Sequence, residues 1–268
     1  MKTFLKVIGQ FIVGIFKAKK REDEYLYENF KVKEKIDKLT YKILIKKLDA
    51  KEPFTFSRFG DGEFNTIFNK KDTRGNMGKN CDGHLYYPEL GIELLDILKS
   101  QPKYFMGLQP LAMRIEGEEI QKLFQENNIN IEWSDTDILH NASICGDLGL
   151  FIKALKNNEC NILAAPEFLS ECSKLFPIHE RIIVPDTNAW LEIKQITYDI
   201  IKAINLNHKK KKNIIVLIMA GMTANVILDT LYIPYGERIT IIDTGSVFDP
   251  YCGRNSRSYH KKLVIGNQ

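Results

Sequence analysis

The sequence predicts an α/β fold in which a mostly parallel sheet is covered by helices on both faces. Three observations carry this. Residues 213–219, NIIVLIM, and several shorter runs are apolar without alternation, the pattern of strands buried on both sides. Segments with apolar residues at helical spacing stand between those runs along the whole chain. Glycine or proline punctuates many of the junctions, and no internal repeat or low-complexity linker breaks the rhythm. Such a sheet is Rossmann-like, and its ligands are expected beyond the carboxyl ends of its strands.

In chain order, residues 36–48 place Ile36, Leu39, Ile43, Leu44 and Leu48 at helical spacing. Pro53 precedes an extended run at 54–59 that ends at Gly60. Residues 88–98 read as a helix with Pro88 in its first turn, and 104–108 as a buried strand. The spacing then predicts a helix over 116–126, a strand over 129–133 and a helix over 141–155. In the second half, strands at 161–164, 181–184, 213–219 and 239–243 alternate with helices at 169–175, 190–204 and 223–231, with a basic loop at 208–212. The economical division is one domain over 35–268, preceded by an appendage at 1–34.

At 268 residues the chain suits one large α/β domain. Hydrophobic residues at 44% and charged residues at 27% exclude extensive disorder. A net charge of +4 is too mild for a dedicated nucleic-acid binder, so no nucleic acid is expected as partner. The five cysteines, Cys81, Cys145, Cys160, Cys172 and Cys252, are odd in number and widely spaced, which reads as reduced thiols in a cytoplasmic protein. No run reaches the roughly 18–20 apolar residues of a membrane span. At the start of the chain, Thr3, Lys6, Gln10 and Lys17 fall on one helical stripe, apolar residues cover the rest, and Lys19, Lys20 and Arg21 follow. Residues 1–21 therefore predict a basic amphipathic helix on the inner face of an anionic membrane. The alternative is a helix docked on the protein's own core or on a second subunit of a homodimer.

The densest chemistry lies at 57–64, SRFGDGEF. Arg58 leaves the strand, Gly60 and Gly62 free the backbone, and Asp61 and Glu63 set two carboxylates two residues apart on a tight loop. Two hard oxygen ligands beside an arginine suit a divalent ion that bridges phosphate oxygens. At 219–228, MAGMTANVIL, a buried strand turns into a helix. Gly221 permits close approach, Thr223 can cap, and the free N–H groups of the helix attract an anion. The tail, TGSVFDPYCGRNSRSYHKK, combines Asp243 and Asp249 with Arg254, Arg257, Tyr259, His260, Lys261 and Lys262. Arginine forks there match a diphosphate or an anionic acceptor, and Asp249 is a candidate acid–base group. Asp82 and His84 at 80–89, and Asp135, Asp137, His140 and Asp147 at 133–147, are further candidates for metal, acceptor or general base.

RFGDGE directly after an extended segment resembles the signature of the GT-D-type glycosyltransferase domain family. The likeness extends to VPDTNAW at 184–190, with Asn188 in its turn, and to the Gly-x-Thr-Ala turn at Gly221 to Ala224. These landmarks span about residues 36–243. The resemblance implies a GT-D-like fold and a glycosyltransferase that uses a nucleotide-sugar donor, in particular a UDP-sugar. It also implies that Asp61 and Glu63 hold a divalent metal, Mn2+ or Mg2+, against the diphosphate, while the N-terminal segment and basic tail suggest a glycan, lipid-linked or protein-linked acceptor. The tail departs from the family pattern, so the acceptor side is expected to differ. Two other classes stay open: a metal-dependent phosphohydrolase or nucleotidyltransferase, and a non-catalytic nucleotide-binding protein at the membrane.

Overall fold

The computed structural model describes residues 37–209, 213–255 and 260. The amphipathic segment at 1–21, the connector to 34, and Arg257, Tyr259, Lys261 and Lys262 of the tail lie outside the described residues. Among the described residues seven strands, β1 (Thr55–Phe59), β2 (Phe105–Leu108), β3 (Trp133–Asp135), β4 (Cys160–Ala165), β5 (Glu180–Ile183), β6 (Ile214–Ile218) and β7 (Thr240–Asp243), pair in the order β3-β2-β1-β7-β6-β4-β5. Every pairing is parallel. The helices are α1 (Asp37–Ala50), α2 (Asp61–Ile67), α3 (Pro88–Ser100), α4 (Pro110–Glu126), α5 (Ile138–Ile144), α6 (Leu148–Lys156), α7 (Ile193–His208) and α8 (Thr223–Tyr235).

Two apolar cores sandwich the sheet. One joins the outward side chains Phe59, Met106, Ile162, Val216 and Ile241 to α3, α4, α7 and α8. The other joins Phe56, Leu163, Leu217 and Ile242 to α1, α5 and α6. All residues of β4 and β6 are buried, as expected for central strands covered on both faces. The polar exception, Asn161, is fully satisfied: its amide nitrogen donates to the carbonyls of Leu155 and Pro177, both at 2.8 Å, and its oxygen accepts from Asn158 at 3.1 Å.

The expected α/β class and sheet type hold, and several elements differ in detail. The helix expected at 116–126 begins at Pro110, a residue suited to a first helical position because its missing N–H would have no partner there. Non-helical angles at Glu116 (φ −128°, ψ 18°) kink it, which hid the two parts from a single periodic pattern. The strand expected at 129–133 is β3 instead, because the Ile129 N–H bonds the Phe124 carbonyl at the end of α4 and pairing with β2 starts only at Trp133. The helix expected at 141–155 is two, α5 and α6, bent by 109° between them. The segment at 169–175 is a tighter 3₁₀ turn, Glu167–Lys174, and a second such turn, Ala189–Glu192, leads into α7. No single described helix is long and apolar enough to cross a bilayer.

The junction of β1 and β7 positions the site. Their register covers only Thr55↔Ile241 and Phe56↔Ile242, after which the strands part. Asn225, fully buried on α8, takes the place of the missing neighbour: its Oδ1 accepts the Arg58 N–H at 3.3 Å and its Nδ2 donates to the Arg58 carbonyl at 2.8 Å. β1 runs on into α2, whose Phe64 joins the first core. β7 runs into a turn whose Val247 and Phe248 join the second. Adjacent strands whose continuations leave to opposite faces open a crevice at their carboxyl ends, the general place for ligands in such sheets.

Candidate functional site

A cleft of about 730 Å³ occupies this crevice and extends across the carboxyl ends of the neighbouring strands. Seven carboxylates, Asp61, Glu63, Asp82, Asp137, Asp186, Asp243 and Asp249, line it against two guanidiniums, Arg58 and Arg254, among the described residues.

The RFGDGE string is not the loop its glycines suggested. Gly60 caps α2 in extended backbone (φ −123°, ψ −166°), and Asp61 and Glu63 are residues of the first helical turn. Glu63 folds back so that its Oε2 accepts the Gly60 N–H at 2.7 Å, the reciprocal half of a capping box. Burial is the main force on this carboxyl and raises it to about 7; the Gly60 N–H opposes the rise and the nearby Asp243 adds to it. The Asp61 N–H donates to Gln109 Oε1 at 3.0 Å, from the residue that caps α4. Gln109 was missed in the sequence, where its one signal is its place before Pro110 at the exit of β2.

Arg58 crosses the floor of the cleft. Its Nε donates to the Thr136 carbonyl at 2.9 Å and its Nη2 lies 3.4 Å from Asp137 Oδ1. It passes over Gly245, where a Cβ would stand 1.5 Å from Nη1 and where φ is +53°, so both space and backbone call for glycine. At the end of β7, Asp243 is 5% exposed and accepts the Gly245 N–H at 2.8 Å. Desolvation raises its carboxyl above the usual range, while Arg58 pulls the other way. The tail motif contains Asp243, but only the structure puts it across from Arg58 and Glu63.

The second expected turn is covered in part. Gly221 (φ +56°) lines the cleft, and the His84 imidazole sits where a Cβ would lie, its nearest atom 2.8 Å away. His84 Nδ1 accepts the Asn188 N–H at 3.3 Å, and Asn188 Oδ1 accepts the Leu85 N–H at 2.9 Å. Asn188 thus ties the 80s loop to the exit of β5 and does not line the cleft. Thr223 is buried as the first residue of α8, and Met222 occupies the cap position expected for it. Asn80 Oδ1 accepts the N–H groups of Asp82 and His84, both at 3.0 Å, and so shapes the loop that brings them to the cleft.

Of the 133–147 candidates, Asp137 lines the cleft. Buried His140 stands 3.8 Å from Asp137 and 3.4 Å from Ser246 Oγ. Asp135 instead accepts the Asp137 N–H at 2.6 Å and the Asn141 amide at 3.3 Å, and Asp147 joins α5 to α6, so both serve the scaffold. In the tail, Asp249 is 7% exposed at the cleft wall, at the start of the 3₁₀ turn Asp249–Cys252. The Arg254 fork, expected to grip a diphosphate, already holds Asp186 through Nη1 and Nη2 at 2.5 and 2.9 Å. His260 is fully buried.

Among the described residues no three His, Cys, Asp or Glu side chains converge as a metal-binding group. Asp61 and Glu63 both line the cleft, and carboxylates are the protein share suited to a hard cation that draws its other ligands from phosphate and water.

A parallel sheet between two helical layers, with an acidic cleft at the switch point, belongs to the α/β class that glycosyltransferases use. The likeness is specific: the chain superposes on a domain described as having a distinct glycosyltransferase fold, the domain of unknown function 1792, with TM-score 0.53, 17% identity and 77% of each chain covered. A structure described as a new glycosyltransferase of that kind from Streptococcus sanguinis gives TM-score 0.55 and 19% identity over 79% of this chain and 81% of that one. A selenomethionine-substituted structure of the same domain gives TM-score 0.51 and 17% identity over 79% and 84%. The chain therefore has the fold of these glycosyltransferase structures. No protein-family model and no curated protein sequence matches it.

Proposed function

We propose that this protein is a metal-dependent glycosyltransferase that moves a sugar from a nucleotide-sugar donor, such as a UDP-sugar, to a glycan, lipid-linked or protein-linked acceptor. The observation that carries the reading is the balance of charge among the described residues of the cleft: seven carboxylates against two guanidiniums, at the switch point of a fold shared with glycosyltransferase structures. An anionic diphosphate is repelled by such a site unless a cation enters with it. Asp61 and Glu63 are the residues that would hold Mn2+ or Mg2+. Bound there, the ion would offset charge developing on the departing nucleoside diphosphate.

The protein's own groups do the rest. Arg58, fixed by Thr136 and Asp137, directs positive charge into the floor where the leaving group's charge grows. The acceptor hydroxyl attacks the anomeric carbon as the bond to the diphosphate oxygen breaks. In an inverting transfer Asp249 takes the hydroxyl proton. The acceptor side of the reading rests on residues 1–21 and the basic tail, whose composition suits surface-polysaccharide or glycoconjugate synthesis at the inner face of a membrane.

The test is turnover of a nucleotide-sugar panel with Mn2+, comparing wild type with Asp61→Ala and Glu63→Ala. The expected result is release of nucleoside diphosphate by wild type and a loss of about 100-fold or more in each variant. No turnover of any donor, or variants equal to wild type, removes the reading. Co-sedimentation with anionic liposomes, with and without residues 1–21, checks the membrane contact; equal binding by both forms removes it.

A further inference from the structure

The cleft has two unlike ends. Asp61, Glu63 and Arg58 form the charged end under β1, whereas beyond β4 and β5 the lining turns to Pro166, Phe168 and Pro185. At that second end the Arg254 guanidinium carbon stands over the Phe168 ring, 4.5 Å from its centroid. Asp186 fixes the guanidinium in plane by the two-point contact described above. The Arg254 side chain remains 45% exposed, and both it and Phe168 line the cleft, so the pair is within reach of a ligand there.

The two turns that carry this stack are held against each other. Cys172 Sγ and Cys252 Sγ are 3.5 Å apart, and the Phe176 and Phe248 rings meet at 5.4 Å. The Phe168–Arg254 pair is therefore held in place by contacts within the protein itself. Its charge is largely neutralised by Asp186, which suits it poorly to phosphate and well to a neutral planar ring.

We infer that Phe168, Arg254 and Asp186 form the platform on which the base of the donor nucleotide stacks, leaving the diphosphate to extend toward Asp61 and Glu63. This rests on the donor assignment proposed above and deepens it: the base end contributes affinity and selectivity, the acidic end the chemistry. Planar recognition of this kind distinguishes a nucleotide from its phosphates alone.

The experiment is calorimetric binding of UDP and of inorganic pyrophosphate, each with Mn2+, to the full chain and to Phe168→Ala and Arg254→Lys. Arg254→Lys keeps the charge and loses the planar fork, and it perturbs a half-exposed side chain, so it stays informative if Phe168→Ala does not fold. The expected result is UDP affinity weakened about tenfold in each variant, with pyrophosphate affinity changed less than twofold. Equal weakening of UDP and pyrophosphate, or UDP binding unchanged, overturns the platform while leaving the donor reading intact. A wild-type protein that binds no UDP overturns the UDP-sugar donor and, with it, this test's premise.

Discussion

The two edges of the sheet handle buried polarity in opposite ways. At the amino edge, Asn161 is sealed in the core with its amide fully partnered, and the charges, Lys51 with Glu159 at 3.3 Å, stay at the surface. The cavity there holds about 20 Å³, room for about one water. At the carboxyl edge, Asp243 and Asp249 are buried and Glu63 half-buried, and Glu63 and Asp243 are both pushed above their usual range. One edge is arranged for stability alone. The other keeps charge in a half-dry crevice, where it is costly to the fold and useful for holding a cation and an anionic ligand.

Replacing one buried asparagine at each edge probes this contrast most strongly. Asn161→Ala and Asn225→Ala each remove two or more buried hydrogen bonds, and both are expected to lower stability by about 2–4 kcal/mol in urea unfolding. Only Asn225→Ala should also reduce turnover at a temperature where both variants remain folded, because it frees the backbone of Arg58. Equal effects on turnover would erase the distinction between the edges.

A pH titration of stability comes next. The Glu63 carboxyl titrates at about 7 in the folded chain and near 4.5 when unfolded, so the native state keeps a proton that the unfolded state gives up between those values. Stability from this group is therefore full below about 4.5 and lost as pH rises through about 7, a change of about 3 kcal/mol. Metal-free Glu63→Gln should lack that slope. A slope unchanged by the substitution would assign it to another group.

Smaller effects follow at the turn and at the surface. Gly221→Ala meets both a left-handed backbone and the His84 ring, and a loss of about 1–2 kcal/mol is expected in thermal unfolding. At the amino edge, Lys51→Gln breaks an exposed pair and should change stability by no more than about 0.5 kcal/mol. A larger effect there would mean the edge is not a plain solvated surface.

The sequence makes the parallel sheet legible because central strands such as β6 must be apolar on both faces, and no other element needs that pattern over so short a run. Helix α3 announces itself through Pro88 in its first turn. Other features depend on contacts distant in sequence. The spacing at 57–64 names Asp61 and Glu63, yet whether Glu63 faces a ligand or its own backbone is set by the geometry of a helix end. Asn225 looks like any residue of a first helical turn, and its partner lies 167 positions earlier. Arg254 reads as a phosphate fork until Asp186, 68 residues away, fills it.

The seam between β1 and β7 has a further consequence for how the protein comes into being. Residues 55 and 56 find their neighbours only at 241 and 242, so the middle of the sheet stays unclosed until about 190 further residues have been made. The β1–β2–β3 and β4–β5–β6 portions can form earlier, each with a bare strand edge that invites aggregation or a chaperone. Long-range parallel closure of this kind is slow. The crevice is made by the last joining step, so an incomplete nascent chain has no working centre, and a truncation before β7 leaves a protein without a site.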